Sequence, residues 1–408
     1  MAPALLRHST GMSTQPRSSF NGPVAPRPEG GRRALAVLDD QVTGVSYVRF
    51  HQPFEHLRDR GFELRTLSRT LTLTRTPRGY EPEAGILDGI SMLLFPQMIA
   101  APLLPDGSRL LLVEPLCEAA RSRGIPVVYS VDDHLEEIET LNPSYEVIAG
   151  ARPNLEALLH GADAFIVTTP TLEATLAPRE RPVHVLPNAV DPSRWTPRPR
   201  GSGELRIGWA GSSCHIDDLL MVLPAIRELQ RRVDFVFVLL WLTSRPLPVE
   251  TREIRLNRRG FTPSQKARAE AFLELASLCR SIRHRHVVFG ELGAYFSTLP
   301  SLDLDVGICP LLDTPFNRHK SALKFYEYAA AGTMTIASEV VPYLGEVSVT
   351  TPNEPAAWSD ALERFLRDGG ARDAELADQR EFVFRERNIE RLKDRWAAAL
   401  LEIVSPIS

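Results

Sequence analysis

The stretch that decides the fold covers residues 302–346 and reads LDLDVGICPLLDTPFNRHKSALKFYEYAAAGTMTIASEVVPYLGE. Its apolar run over residues 304–311 predicts a buried strand. A helix is predicted over residues 319–331, with Asn317 in the preceding loop as its N-cap. A second β-rich run follows at residues 333–338. Strand, helix and strand in this order predict one unit of a parallel sheet.

Three charged side chains are predicted to share one face of this helix, which should end at Gly332. Lys320, Lys324 and Glu327 are spaced four and three residues apart, the spacing of neighbours on a helix. The helix begins at the carboxyl end of a strand, where open α/β sheets bind ligands, and its N-terminus adds positive potential. The pattern therefore predicts a site for an anion such as a diphosphate, with Glu327 available to sugar hydroxyls. A solvated Lys–Glu pair is the ordinary alternative.

Strand and helix patterns alternate on both sides of a segment rich in proline and glycine, PSRWTPRPRGSG at residues 192–203. Repeated βα units predict doubly wound parallel sheets, and the segment predicts the boundary between two domains. We expect a disordered leader, or less readily a transit peptide, before the first domain. The predicted divisions are a leader at 1–33, a first Rossmann-like domain at 34–195, a linker at 196–204, a second Rossmann-like domain at 205–375 and terminal helices at 376–408.

Composition limits the classes of protein that the chain can belong to. With 408 residues, 43% of them hydrophobic, it is long enough for two globular domains. A formal charge of −4 argues against a nucleic-acid binder or a polybasic membrane protein. The cysteines lack metal-type spacing, so we expect a reducing cytoplasm and no metal site; they are Cys117, Cys214, Cys279 and Cys309. No apolar run reaches the roughly 18 residues of a membrane span, although peripheral membrane contact stays open.

Two further groups of residues could contact a ligand. Asp132 and Asp133 follow a predicted strand and could orient a substrate hydroxyl or act as a base; the alternative is that one of them caps a helix near His134. The loop GWAGSSCH at residues 208–215 places Gly211, Ser212 and His215 between a strand and a helix. Small residues there let backbone amides approach a diphosphate, although a generic turn is equally compatible. The loop is not a GxGxxG fingerprint, which disfavours a Rossmann oxidoreductase.

The residues of this central stretch resemble the donor-binding region of GT-B glycosyltransferases, most closely retaining bacterial enzymes similar to glycosyltransferase family four. In that family the second glutamate of a Glu-x7-Glu motif binds the nucleotide ribose, and Glu327 matches it. His319 stands where the first glutamate would fall. Lys320 and Lys324 occupy the basic part of the motif. The resemblance covers the chain from Ala34 to the C-terminus, 375 residues.

The same resemblance extends to other parts of the chain. Gly44 and Arg49 resemble the glycine-containing loop and following helix on the acceptor side, where a surface arginine is the alternative for Arg49. Asn188 matches the interdomain Pro-Asn-x-Val-Asp pattern and should line the cleft. The final helix is implied to cross back onto the first domain. Residues 243–286, which are strongly basic, correspond to a short connection in the family and therefore suggest an insertion.

The basic segment has two interpretations. A helix within it could be an ordinary solvated surface helix. It could also form a patch that contacts an anionic partner, such as a lipid headgroup, a polyanionic acceptor or another protein.

The resemblance implies transfer of a sugar, with retention, from a nucleotide-diphosphate sugar to an acceptor. The acceptor could be a glycan such as a bacterial polysaccharide, a lipid-linked glycan, a natural product or a protein. The donor sugar is a co-substrate, and no cofactor or metal is implied. The expected catalytic residues are Asp132, Asp133 and Lys324; the expected donor-binding residues are Gly211, Ser212, His215, Lys320, Lys324 and Glu327; the expected cleft-lining residues are Gly44, Arg49, Asn188 and His319.

Two alternatives stay open at this stage. A nucleotide-sugar epimerase or a phosphorylase would keep the fold and change the reaction. His319 in place of a glutamate, together with the basic segment, would also suit a catalytically degenerate protein that serves as a binding or scaffolding subunit.

Overall fold

A computed structural model describes residues 32–38, 42–68, 73–76, 79–83, 85–99, 111–140, 142, 144–197, 201, 203–241, 261–289 and 291–405. The predicted leader, apart from its last two residues, lies outside these ranges, as do parts of the linker and of the basic segment. Helix α1 spans residues 44–56 as three consecutive pieces, the middle one with π-helical turns. The first lobe contains β1 Arg32–Leu38, α1 (Gly44–Ser46, Tyr47–His51 and Gln52–His56), β2 Phe62–Ser68, β3 Leu73–Thr76, β4 Gly79–Pro82, β5 Met92–Phe95, α2 Val113–Arg121, β6 Val127–Val131, α3 Tyr145–Gly161, β7 Ala164–Val167, α4 Pro170–Leu176 and β8 Val183–Val185.

The second lobe repeats the alternation of strands and helices, and the chain then ends in three consecutive helices. Its elements are β9 Arg206–Gly211, α5 Ile216–Leu229, β10 Val236–Trp241, α6 Pro263–Arg280, β11 His284–Val288, α7 Leu292–Ser301, β12 Val306–Cys309, α8 Leu323–Ala331, β13 Met334–Ser338, β14 Thr350–Thr351, α9 Pro355–Arg367, α10 Gly369–Glu386 and α11 Ile389–Val404.

Each lobe is built on a six-stranded sheet in which all paired strands are parallel. The first sheet has the order β2-β1-β5-β6-β7-β8 and the second has the order β11-β10-β9-β12-β13-β14. The short antiparallel pair β3-β4 is separate from both. Every residue of β6, β10 and β13 is buried, as expected where helices cover both faces of a parallel sheet. The predicted pair of doubly wound sheets is therefore confirmed.

Alternating side chains of each sheet pack into two separate hydrophobic cores, one on each face. In β5, Leu93 and Phe95 join the cluster under α2 and α3, whereas Met92 and Leu94 join the cluster on the other face. The second sheet is likewise covered on both faces, with Trp209 in one cluster and Leu240 in the other. Packing therefore removes apolar surface from water on both faces of each sheet. Burial of this kind is the main stabilising term in folding.

The last helix belongs structurally to the first lobe. Trp396 and Leu400 of α11 pack with Phe50 and Phe54 of α1 in the cluster on the outer face of the first sheet. The chain reaches that position beside the interlobe connection, where Val190 and Asn388 form a β-bridge. The crossing that the sequence resemblance implies is therefore confirmed.

The structure corrects the helix in the central stretch. Helix α8 begins at Leu323, not at residue 319, and Asn317 is not its N-cap because that position is held by Ala322. Asn317 instead starts a short 3-10 turn and donates from Nδ2 to the carbonyl of Leu312. Lys320 has an extended backbone and precedes the helix. Only Lys324 and Glu327 of the three predicted neighbours share its face. The end at Gly332, with φ +84°, is as predicted.

The described part of the basic segment consists mainly of helix α6, which connects the adjacent parallel strands β10 and β11. Phe272, Leu275 and Cys279 on this helix are buried in the second lobe, so α6 is a crossover helix of the sheet with one covered face. Residues 242–260, which carry much of the predicted basic patch, lie outside the described ranges. Within those ranges, no helix combines the length and the apolar character that a membrane span needs.

Candidate functional site

Helix α8 places a cation and a carboxylate at the edge of the second sheet where its strands end. The ammonium of Lys324 lies 5.5 Å from the centroid of the Trp209 ring, a cation–π contact. Within the described part of the chain, Lys324 forms no ion pair. Burial lowers the pKa of Lys324, because the charged ammonium is poorly solvated there. An incoming anion would relieve that cost.

The carboxylate of Glu327 lies one turn beyond Lys324. Its Oε2 accepts a hydrogen bond of 2.8 Å from the hydroxyl of Tyr295 on α7. Burial raises the pKa of Glu327 to about 7, so the side chain is close to half ionised at neutral pH. Its second oxygen has no such bond among the described residues and is available to a ligand hydroxyl.

The loop after β9 meets α8 at the same edge. Gly211 ends β9, and a Cβ at this position would lie 2.3 Å from the Trp209 ring, so glycine is required there for packing whatever ligand binds. Ser212 precedes a 3-10 turn and caps no helix through its side chain. His215 stands at the N-cap position of α5 without a capping hydrogen bond. Its Nδ1 lies 2.8 Å from Oδ2 of Asp218. Burial and the Lys324 ammonium together lower the pKa of His215 to about 4.

On the first lobe, the two aspartates follow β6 at the carboxyl edge of its sheet and cap no helix. The short helix after them has His134 at its N-cap position, without a side-chain cap. The backbone N–H groups of Asp132 and Asp133 both donate to Oε1 of Gln97, at 3.1 and 2.7 Å. Tyr129 donates to the backbone carbonyl of Gln97 at 2.8 Å. Gln97 therefore fixes the turn that presents both carboxylates.

The two carboxylates have different electrostatic surroundings. Burial, together with the charge of Asp133, raises the pKa of Asp132. Burial also favours the neutral form of Asp133, but the ammonium of Lys320 outweighs that effect and lowers the pKa of Asp133. Asp132 is thus the better placed of the two to hold a proton.

Direct contacts join the lobes at these residues. The ammonium of Lys320 lies 2.9 Å from Oδ1 of Asp133. Asn188 donates from Nδ2 to Oδ1 of Asp132 at 3.0 Å and to Oγ of Ser321 at 2.8 Å. Lys320 and Ser321 come from the second lobe, so the ion pair and the Asn188–Ser321 bond both cross the cleft.

Residues 313–321, which we call the interlobe segment, leave the second lobe and pack against the first. Phe316 is buried in the core under α2 and α3. The carbonyl of His319 accepts from Thr169 at 3.2 Å, and Nε2 of its ring lies 3.0 Å from the hydroxyl of Thr175. Its ring also contacts that of His134, with centroids 4.5 Å apart. His319 therefore lies between the lobes, with its ring bonded to the first lobe.

Arg49 is neither a surface arginine nor an open cation in the cleft. Its side chain is 2% exposed, and NH1 donates to the carbonyl of Leu186 and to Oδ1 of Asn188, at 2.7 and 3.1 Å. Because arginine only donates, Oδ1 of Asn188 must face Arg49, which leaves Nδ2 of the amide to point toward Asp132. Gly44 begins α1, and no described atom lies within 4 Å of a Cβ built there. Arg49 thus orients Asn188, and packing does not require a glycine at residue 44.

Nine of the twelve sequence-predicted residues fall into two groups, and Gly44, Arg49 and Ser212 belong to neither. Gly211, His215, Lys324 and Glu327 surround one edge of the second lobe, while Lys320, His319, Asn188 and the two aspartates form the contact between lobes. Sequence reasoning missed four residues that hold these groups in place: Gln97, Asp218, Tyr295 and Ser321. Gln97 follows β5 by two residues, so its place after a strand was a usable signal. Nothing local marks Tyr295 as the partner of Glu327.

The comparisons with known proteins find similarity at the level of structure. No protein-family model matches the sequence, and no curated protein matches it. HepE from Anabaena, solved in complex with UDP and glucose, superposes with a TM-score of 0.61 at 10% identity, over 91% of this chain and 100% of that one. An α,α-trehalose-phosphate synthase (UDP-forming) from Burkholderia vietnamiensis gives 0.60 at 11% identity, over 93% and 98%. A trehalose-6-phosphate structure from E. coli bound with UDP-2-fluoro glucose gives 0.57 at 11%, over 92% and 99%.

These matches span both lobes and nearly the whole length of each protein. Identities this low relate the architecture of the chains and do not transfer residue roles or substrates. The chain therefore has the two-lobed GT-B fold that its central stretch predicts.

Proposed function

We propose that the protein transfers a sugar from a nucleotide-diphosphate sugar to an acceptor bound against the first lobe. The observation that carries this proposal is the group at the edge of the second sheet: Lys324 without an ion pair among the described residues, the partly protonated Glu327 on the next turn, and the loop that ends at His215. An ammonium suits a diphosphate, and a carboxylate suits ribose hydroxyls. UDP or a UDP-sugar is bound in solved structures of the same fold, which supports the nucleotide as the ligand.

The reaction needs stabilisation of the charge that grows on the diphosphate as the glycosidic bond breaks. Lys324 supplies it from a half-buried position, where one preorganised contact is worth roughly 3 to 4 kcal/mol of barrier. Lys320, on the interlobe segment, adds to this stabilisation when its ion pair with Asp133 opens. We assign no metal to the site, and we expect turnover to be unchanged in the presence of a chelator.

On the acceptor side, Asp132 is the residue that we assign to orient the attacking hydroxyl. Asp133 is engaged by Lys320, whereas Asp132 is held by Asn188 and has a pKa raised by burial, which makes it the stronger proton acceptor of the two. Retention at the anomeric carbon rests on the sequence resemblance. Comparing the anomeric configuration of donor and product by NMR tests it.

A donor-hydrolysis screen over common UDP-, GDP- and dTDP-sugars tests the proposed function. We expect release of the nucleoside diphosphate from at least one donor, and we expect Lys324→Ala to abolish most of it. Lys266→Ala, which removes an exposed lysine of α6, is the matched control and should behave as the unaltered protein. The proposal fails if no donor is turned over and none of the three nucleoside diphosphates binds.

A further inference from the structure

The loop before α5 contains a histidine that is paired with a buried carboxylate. Nδ1 of His215 lies 2.8 Å from Oδ2 of Asp218, and Oδ1 of Asp218 accepts the backbone N–H of Leu312 at the same distance. Burial alone would raise the pKa of Asp218, but these two bonds outweigh it and lower that pKa. An ionised carboxylate only accepts hydrogen bonds, so Nδ1 of His215 must carry a proton. The neutral ring then has its lone pair at Nε2.

The surroundings of Nε2 favour the neutral ring in the absence of a ligand. Nε2 has no hydrogen-bond partner among the described residues, and the side chain is 17% exposed, so a ligand can reach it. The charged groups that act on the ring come from four elements: Asp218 on its own helix, Lys324 on α8, Lys320 on the interlobe segment and Asp133 on the first lobe. Two ammonium groups and partial burial oppose a third positive charge.

A diphosphate would reverse this balance. Phosphate oxygens only accept hydrogen bonds, so a lone pair at Nε2 would repel them, whereas an N–H at the same atom would donate to them. The negative charge of the ligand would also offset the ammonium groups that keep the ring neutral. Protonating one nitrogen therefore changes an unfavourable contact into a charge-assisted hydrogen bond.

We propose that His215 takes up a proton from solvent at Nε2 when the nucleotide diphosphate binds, and that Asp218 is the positioning residue that holds the ring for this purpose. This inference rests on the proposed function and adds a third cation to its leaving-group site. Asp218 also binds Leu312, where the loop toward Lys320 begins, so one carboxylate ties together the two loops that face the phosphates. The proton returns to solvent when the nucleoside diphosphate leaves.

Calorimetric titration with UDP in buffers of different ionisation enthalpy measures the protons taken up. Near neutral pH, the unaltered protein should take up more protons per bound UDP than His215→Gln, by at most one, because the glutamine amide keeps a donor near the position of Nε2 but does not titrate. Because Glu327 is present in both proteins, its proton release cancels in the difference. Asp217→Asn removes an exposed carboxylate from the same helical turn and should match the unaltered protein.

A second variant tests the role of Asp218. An asparagine cannot accept from both Leu312 and Nδ1, so in Asp218→Asn one amide hydrogen should point at Nδ1 and shift the ring proton to Nε2. UDP should then bind without the extra proton. Thermal unfolding of each variant shows whether it is folded, and His215→Gln alone suffices if Asp218→Asn is not. Equal proton uptake by the unaltered protein and His215→Gln overturns the inference and leaves the proposed function intact. Failure of UDP, GDP and dTDP to bind overturns both.

Discussion

The interlobe segment and helix α8 are adjacent in the chain but are stabilised by different parts of the molecule. In the segment, Phe316, His319 and Lys320 all contact the first lobe. In the helix, Lys324 rests on Trp209 and Glu327 on Tyr295, both of which belong to the second lobe. Lys320 and Lys324, although only four residues apart, are therefore available to a ligand under different conditions. The charge of Lys324 depends on its own lobe alone, whereas that of Lys320 depends on how the lobes meet.

The proposed donor site therefore lies within one lobe, whereas the contacts of the interlobe segment exist only while the two lobes touch. A ligand held by Lys324, Glu327 and His215 needs no contribution from the first lobe. The contacts of Lys320 and Ser321 across the cleft would be lost on opening. Motion of one domain relative to the other is the default expectation for two-domain proteins.

The largest expected effect is a loss of turnover, and it follows from removing Lys324 of helix α8. Lys324→Ala should lower kcat/KM for donor turnover about a hundredfold to a thousandfold, since it removes a preorganised cation from the leaving group. Lys320→Ala should cost less, because the charge of Lys320 is already compensated by Asp133. Steady-state kinetics of the two variants decide the order, and a larger loss for Lys320→Ala would contradict the distinction drawn here.

The pH dependence of UDP binding tests whether the ionised carboxylate of Glu327 contacts the nucleotide. Its pKa of about 7 means that it is protonated below neutral pH and accepts hydrogen bonds from ribose above it. UDP affinity should therefore rise about tenfold as pH increases through that value, one pKa unit being worth a factor of ten. The His215→Gln background is used for the measurement, because His215 would act in the opposite direction. Adding Glu327→Gln should flatten the curve; a slope that persists would exclude Glu327 as its source.

Asp133→Asn tests the interlobe side of the comparison. Without the carboxylate, the ammonium of Lys320 is available to phosphate oxygens, so UDP should bind more tightly, by about fivefold for a partly exposed pair. Asp132→Asn is the matched control, since it makes the same change in charge at the neighbouring position and leaves Lys320 paired. Tighter binding by both variants to the same degree would mean that net charge, and not this ion pair, is responsible.

The smallest expected effect concerns the hydrogen bond between Thr175 and His319. Thr175→Val removes it, which should loosen the interlobe segment by about 1 kcal/mol. Hydrogen exchange should accelerate roughly fivefold at residues 317–321 by the same energy, while α8 is unaffected. Equal acceleration in α8 would show that the segment and the helix open together.

The sequence predicts those elements whose pattern is set by residues close together in the chain. Amphipathic spacing marks residues 355–367 and 389–404 as helical from the sequence alone, and these residues form α9 and α11. The neighbouring positions of Lys324 and Glu327 were predictable as well, since helix geometry alone sets them.

The rest of the site depends on contacts between distant residues. Local propensity favours a helix at Lys320. In the structure Lys320 is extended and bonds to Asp133, 187 residues away, while His319 lies in a 3-10 turn and bonds to Thr175, 144 residues away. The pairing of Asp218 with Leu312 spans 94 residues. No periodicity encodes such pairs, because tertiary packing and not local preference selects them.

The most direct test of the account is a crystal structure of the protein with UDP. We expect the diphosphate within hydrogen-bonding distance of the Lys324 ammonium and of Nε2 of His215, with ribose hydroxyls on the carboxylate of Glu327. A nucleotide bound away from α8, with these three side chains in the contacts described here, would contradict the account.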